Sequence, residues 1–173
     1  MDRDEELLLA VLNSAPVLDG RPTDDLEDPN ARELTRSWGG SGTTRELGRL
    51  REARDALQTV IRGDAPAAVE ELTRIVEGAV RIPHVTPDGV AWQLQAPTDD
   101  RLAVEAVLAW SSVNARHPGR LRPCANAECR LFLVDHSRPG TAKWCSMATC
   151  GNRMKARAHA NRSRRQPEPS RYS

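Results

Sequence analysis

Residues 124–150 read CANAECRLFLVDHSRPGTAKWCSMATC. Cys124 with Cys129 and Cys145 with Cys150 form two C-x4-C pairs, and fifteen residues lie between the pairs. Two close pairs joined by a short connector suit tetrahedral zinc, because each pair offers two thiolates from one local turn and the connector folds back to unite them. Four thiolates complete the shell, so the spacing predicts one structural Zn²⁺ and leaves no open position for catalysis. Two disulfides or four unpaired buried thiols are the alternatives, and His136 in the connector is an alternative ligand. A reducing compartment favours the metal over the disulfides.

The connector itself suggests a small fold. Leu131 to Val134 reads as a short strand leading to Asp135, and Ser146 stands where it would cap a helix carrying Cys150 in its first turns. A knuckle with one pair, a hairpin and a helix start with the other pair make a treble-clef-like arrangement. Counted at 100° per residue, Asn152, Lys155, His159 and Arg162 share one side of that helix. Arg153, Arg157 and Arg164 form a second row, and Met154 and Asn161 stay on the Cys150 side. A helix basic over so much of its surface has little core to bury and suits phosphates or a groove; the alternative is a solvated charged tail.

Upstream of the finger the charge reverses. Residues 1–119 hold 13 Lys and Arg against 21 Asp and Glu, a net of −8, while residues 120–173 hold 12 against 3, a net of +9. Four thiolates around Zn²⁺ bring the second figure to about +7, which still points to a polyanion. No run of 18 apolar residues occurs, and Met1-Asp2-Arg3-Asp4-Glu5-Glu6 puts acids where a secretory leader carries bases. The expectation is a cytoplasmic protein with no membrane partner.

The first 117 residues read mainly as helices. Leu7, Leu8, Val11 and Leu12 form an apolar stripe behind an acidic first turn. The segment from Asn13 to Pro29 reads as a loop, and Asp28-Pro29 opens a short helix to Trp38. Thr43 and Glu46 have capping-box spacing ahead of Leu47, Leu50, Leu57, Val60 and Ile61, a stripe that stops at Gly63. Asp64 caps a further helix with Val69, Leu72, Val76 and Ala79 on its inner face. The period then changes to two: Val80 to Val85 and Val90 to Leu94, joined by Thr86-Pro87-Asp88-Gly89, read as a hairpin with Pro83 on an edge strand. Thr98 caps a last helix that runs to about Ala115, and Pro118-Gly119 marks the boundary. Aromatic residues are 3% of the chain, so aliphatics and alanine must fill the core. Trp38, Trp92 and Trp110 belong to that core or line a ligand pocket. No nucleophile–base pair and no phosphate loop after a strand is present, so the chain reads as a non-enzyme.

The stretch WCSMATCGNRMK, residues 144–155, closely resembles the signature of the CGNR zinc fingers, named for Cys150-Gly151-Asn152-Arg153 here. The first cysteine pair, Phe132, Asp135 and Ser137-Arg138 fit the same pattern, so the resemblance covers about residues 120–160. It implies that all four cysteines bind zinc. In that family an alanine-rich helical ABATE domain usually precedes the finger, and Leu9-Ala10-Val11-Leu12-Asn13 resembles its opening motif. The resemblance implies a stress-induced bacterial transcription regulator.

The combined expectation is a mainly α protein: an N-terminal helical domain with a β-hairpin over 1–117, a small treble-clef-like zinc finger over 118–165, and a disordered tail over 166–173. The finger would bind double-stranded DNA through Arg138, Lys143, Asn152, Arg153, Lys155, Arg157, Arg162, Arg164 and Arg165, with Asn152 and Arg153 either structural or DNA-contacting. The N-terminal domain would sense a small-molecule effector, bind a protein partner or mediate homo-oligomer assembly. The alternative function is a zinc-dependent protein- or RNA-interaction module that acts on regulation indirectly.

Overall fold

A computed structural model describes residues 2–18, 20–27, 29–63 and 66–165, the last three of them by backbone alone. Asp28 and Asp64, expected as caps, lie outside the described residues, as do the side chains of Arg164 and Arg165 and the tail 166–173. About half of the chain is helical.

Helix α1 spans Arg3–Leu12 and is capped by Asp2, whose Oδ1 accepts the Glu5 amide at 3.0 Å. Leu7, Leu8, Val11 and Leu12 all turn inward, as their spacing requires. The following segment carries a minimal ribbon, β1 (Val17–Leu18) with β2 (Arg21–Pro22), within what the sequence presents as plain loop. Helix α2 (Ala31–Ser37) begins after Asn30, which makes no side-chain capping bond.

Helix α3 (Thr44–Arg62) is the central pillar. Thr43 Oγ1 accepts the Glu46 amide at 3.1 Å, one half of the expected box. The other half departs from the pattern: the Glu46 carboxylate accepts from the amides of Ser41 and Gly42, at 2.9 and 2.7 Å, and so fastens the preceding loop. The helix ends at Gly63, whose φ of 95° is the left-handed conformation that suits glycine. Helix α4 (Pro66–Val76) buries Leu72 and Ile75, whereas Val69 is exposed. Val76 and Ala79 pack partly buried on the core, so of the expected stripe Val69 alone departs, and Ile75 takes the inward place. Helix α5 spans Arg101–Arg116. Its expected cap at Thr98 is not formed. Instead the Pro97 carbonyl accepts from Asp100 and Arg101, and Asp99 takes the hydroxyls of Thr43 and Ser41.

Helices α1, α3 and α5 pack with Ala53, Ala56, Ala103, Ala106 and Ala109 buried between Leu8, Leu57, Leu102 and Val113. The small side chains let the helices approach closely, which compensates for the scarcity of aromatic volume. Among the described residues one basic side chain is buried, at the margin of this bundle. Arg54, 4% exposed, donates to both oxygens of Asp24 at 2.7 and 2.8 Å and to Asp55 at 2.9 Å.

The hairpin pairs β3 (Val80–Thr86) with β4 (Gly89–Gln95) about the expected turn, from Val80 opposite Gln95 to Thr86 opposite Gly89. Of the alternating residues Val90, Trp92 and Leu94, the last alone reaches the core; Val90 is 58% and Trp92 61% exposed. A seven-residue ribbon is about 23 Å long at ~3.3 Å per residue, so only its base reaches the helices.

Beyond α5, strands β5 (Leu121–Pro123) and β6 (Phe132–Val134) pair antiparallel. The apolar core continues across Pro118-Gly119: Leu121, Phe132 and Val134 belong to the same buried cluster as Leu8 and Leu57. Asn13, at the end of α1, treats β6 as a neighbouring strand would. Its Oδ1 accepts the Phe132 amide at 2.7 Å and its Nδ2 donates to the Phe132 carbonyl at 3.2 Å. The Arg62 guanidinium covers the Phe132 ring at 4.6 Å from the centroid. No described helix is long and apolar enough to cross a membrane.

Candidate metal centre and basic helix

The knuckle after β5 places the first pair of cysteines. The Cys124 amide donates to Leu131, and the Cys129 amide donates to Asn126, both at 2.8 Å, which closes a tight turn between the two. Asn126 is 1% exposed and holds the turn from inside: its Oδ1 accepts the Glu128 amide at 3.3 Å, an Asx-type bond. The Ala125 amide donates to the Lys143 carbonyl at 2.8 Å and so ties the knuckle to the approach of the second pair.

The second pair follows a loop organised by Asp135. This buried carboxylate accepts the Ser137 amide at 2.8 Å on Oδ1, and the Ala142 amide at 3.0 Å and Arg122 at 2.7 Å on Oδ2. The Ser137 hydroxyl first, then these amides and the charge of Arg122, hold the Asp135 carboxyl below the usual carboxylate range against the effect of burial. Ser146 precedes the helical turn as expected but makes no side-chain cap. The chain from Met147 to Gly151 instead forms one wide turn, with the Gly151 amide donating to the Ser146 carbonyl at 2.9 Å. Such wide turns are uncommon and cluster at functional sites. Gly151 is closely approached here: a Cβ would lie 2.7 Å from Met147 Sδ and 3.2 Å from the Trp144 ring, so the exposed Met147 side chain would have to move aside.

These elements bring four sulfurs together. All four Sγ atoms lie within 4.8 Å of one another, with Cys129–Cys145 at 3.7 Å and Cys145–Cys150 at 3.8 Å. A tetrahedron with ~2.3 Å zinc–sulfur bonds has sulfur–sulfur edges of about 3.8 Å. The four cysteines are free, so the disulfide alternative is excluded here. Burial pushes the Cys129 thiol up to about 11 and the Cys145 thiol further still, so the cluster needs a cation to hold four thiolates. Cys150 differs: burial opposes its thiolate, but the Asn126 amide, 3.5 Å from Sγ, and the neighbouring thiols hold it below the ordinary thiol value. The donor set, its edge lengths and its internal hydrogen bond fit one structural zinc ion held by Cys124, Cys129, Cys145 and Cys150. His136 is not a fourth ligand in place of a cysteine; its ring turns away to Glu5, with Nε2 at 2.7 Å from the carboxylate.

Residues 120–163 match the CGNR zinc finger family. Comparison with the curated proteins finds no match for the chain. The finger therefore stands as a zinc-binding module on both its geometry and its sequence.

Helix α6 (Asn152–Arg165) continues directly from the wide turn of the CGNR finger. From Asn152 to Arg162 every side chain is exposed except Met154, which is half-buried. Lys155 and Arg162 stand in solvent, as do Arg138 and Lys143 on the preceding loop. Arg157 is engaged instead: its guanidinium reaches both oxygens of Glu128, at 2.6 and 2.8 Å, and this contact first of all lowers the Glu128 carboxyl. Asn152 Nδ2 donates to the Ala148 carbonyl at 3.4 Å, while Arg153 is exposed.

The three tryptophans do not share a pocket. Trp92 lines a cleft of about 410 Å³ with Arg3, Arg81 and Glu105, between the hairpin and helices α1 and α5. Trp38 lies in a separate apolar depression against Leu50 and Leu102, and Trp110 packs partly buried on the core. Two features of the site have no strong signal in the sequence. Asn126 is marked only by its place inside a C-x4-C turn. Asn13 lies 119 residues from the strand it joins, and nothing in its local sequence marks that contact.

Proposed function

We propose that the protein is a DNA-binding transcriptional regulator, in which a treble-clef-like CGNR finger delivers α6 to duplex DNA. The observation that carries the reading is the helix itself. It leaves the zinc site exposed round its circumference and holds six Lys and Arg and no Asp or Glu over residues 152–165. A helix with no core to cover and one sign of charge gains free energy from phosphates and their released counterions. Lys155 and Arg162 hold phosphates or groove edges, with Arg153 adding to the same basic helix and Arg138 and Lys143 on the preceding loop contributing. Arg157 shares its charge with Glu128, so it contributes less. On this reading residues 1–117 are an ABATE-type regulatory part of a cytoplasmic bacterial protein. It takes up a small-molecule effector, for which the cleft beside Trp92 is the available space, or it mediates assembly. The protein acts by binding, not as an enzyme.

The test is affinity for random duplex DNA across salt. Each phosphate contact contributes about 0.9 to the log–log slope, so Lys155→Glu with Arg162→Glu should flatten it by about 2 and weaken binding strongly at low salt. Zinc content and helix content should stay normal, and Glu70→Gln should change nothing. Wild-type affinity in the double variant would remove α6 as the reading element.

A second reading, a protein-interaction module, is favoured by the hairpin β3–β4. Val85 is 90% exposed, and Val90 and Trp92 stand in solvent beside it. On that reading DNA affinity is weak with a shallow salt slope, and Trp92→Ala abolishes partner binding with the zinc site intact.

A further inference from the structure

A second cluster of metal-binding side chains lies outside the cysteine site. Glu5, His117 and His136 bring one ligand atom each within 4.8 Å of one another. Glu5 Oε1 is 2.7 Å from His136 Nε2, and the two imidazoles meet edge to face with centroids 5.0 Å apart. The three come from three elements. Glu5 is on the inner face of α1, His117 is the residue at which the chain leaves α5, and His136 follows β6.

Each residue is held in place by its surroundings. Glu5 is 2% exposed, one turn from the Asp2 cap, so its carboxylate is aimed by a rigid helix. His136 follows Asp135, which the Ser137 and Ala142 amides lock. His117 is half-buried at the helix end. A buried carboxylate costs several kcal/mol unless a cation or strong donors meet it, and here the facing groups are two imidazoles that ligate metals when neutral. Zinc bonded to nitrogen and oxygen at about 2.0–2.1 Å has ligand–ligand edges of about 3.4 Å. Moving from a 2.7 Å hydrogen bond to that edge needs only a small rotation of the exposed His136 ring.

We propose that Glu5, His117 and His136 form a second metal site, of the His₂Glu type, for a divalent transition ion such as zinc, cobalt or nickel. Imidazole with carboxylate suits ions of this borderline class better than calcium or magnesium. Three protein ligands leave a position open to water or an exchangeable ligand. That position faces a cleft of about 510 Å³ walled by Arg116, Arg120, Asp135 and Arg138. The ion would join α1, the end of α5 and the finger's loop, so its arrival would tighten the finger against the helices. The site stands apart from the DNA reading, because its test measures metal and not nucleic acid.

The experiment starts from full-length protein carrying one zinc in the cysteine site. Cobalt(II) is added under equilibrium dialysis, and bound metal and visible absorption are recorded together. The expected result is one further equivalent, with ligand-field bands and no sulfur-to-metal charge transfer, and a thermal midpoint raised by cobalt. His117→Ala and His136→Ala should each weaken this second equivalent by about 100-fold or more, beyond the ~10–100-fold typical of an outer-shell partner. Glu5→Gln should weaken it too. Because Glu5 is buried, the variant at the exposed histidine, His136→Ala, with one zinc retained and helix content unchanged, decides the matter if Glu5→Gln misfolds. A stoichiometry fixed at one zinc in the wild type would overturn the site. So would a second equivalent that both histidine variants keep at wild-type affinity, which would be adventitious binding only.

Discussion

Between Arg3 and Arg116 the protein is held by apolar area: leucines, valines and alanines from α1, α3 and α5 fill one interior, with Arg54 and Asp24 paired at its margin. Between Arg120 and Arg162 little apolar surface is buried. Leu121, Phe132, Leu133 and Val134 are covered, and the rest is ordered by Asn126, Asp135 and four cysteines. The helical part spreads its stabilisation over many side chains, so single losses there are graded. The finger concentrates it in one ion and a few hydrogen bonds, so single losses there are abrupt. The contrast breaks down at three residues: Leu121, Phe132 and Val134 belong to the finger's strands and to the helical core together.

The largest expected effect is on the metal. Cys145→Ser removes one of four thiolates from a site whose zinc contributes about 10 kcal/mol or more. Zinc should be lost and amide protection should vanish from Cys124 through α6, while the helices up to Arg116 keep their circular dichroism. If the helical part unfolds in the same step, the two regions are one cooperative unit.

Phe132→Ala should cost about 3–5 kcal/mol, as for other large core truncations. Because the ring is shared, chemical denaturation should show the loss in the helical transition as well as in zinc affinity. A loss confined to zinc would mean that the two interiors are energetically separate. Asn126→Ala should lower zinc affinity by about 10–100-fold, the range for partners that orient a ligand. It should leave the helical midpoint in place. Thr43→Ala removes the α3 cap and should cost about 1 kcal/mol in the helical transition, with zinc affinity unchanged. A zinc effect here would show that α3 transmits strain to the finger.

Much of this was legible in local pattern. The α1 stripe, the α3 stripe ending at Gly63, the hairpin turn at Pro87-Asp88 and each C-x4-C pair of zinc ligands rest on neighbours within a few residues, where backbone geometry fixes which side chains meet. The misses share a cause. Val69 and Ile75 compete for one helix face, and periodicity cannot say which neighbour arrives. Trp92 is exposed because the ribbon outruns the helices. Thr98 yields its cap to the Pro97 carbonyl, an equally local choice of similar energy. Nothing local marks Arg54 for burial, because the groups that close around it, Asp24 and Ser14, lie 30 and 40 residues away.

The sequence by itself determined the chemistry of the finger. Four cysteines at paired spacing, a glycine where the wide turn passes Trp144 and Met147, and a following helix without acids are properties of one short segment. Only the tertiary structure decided what that segment leans on. Asn13 meeting Phe132, Arg62 covering the same ring, and Glu5 meeting His117 and His136 join residues 70 to 131 positions apart. No local rule carries such pairings, because they follow from how α1 and α3 pack, and that packing is fixed by the summed burial of the whole interior.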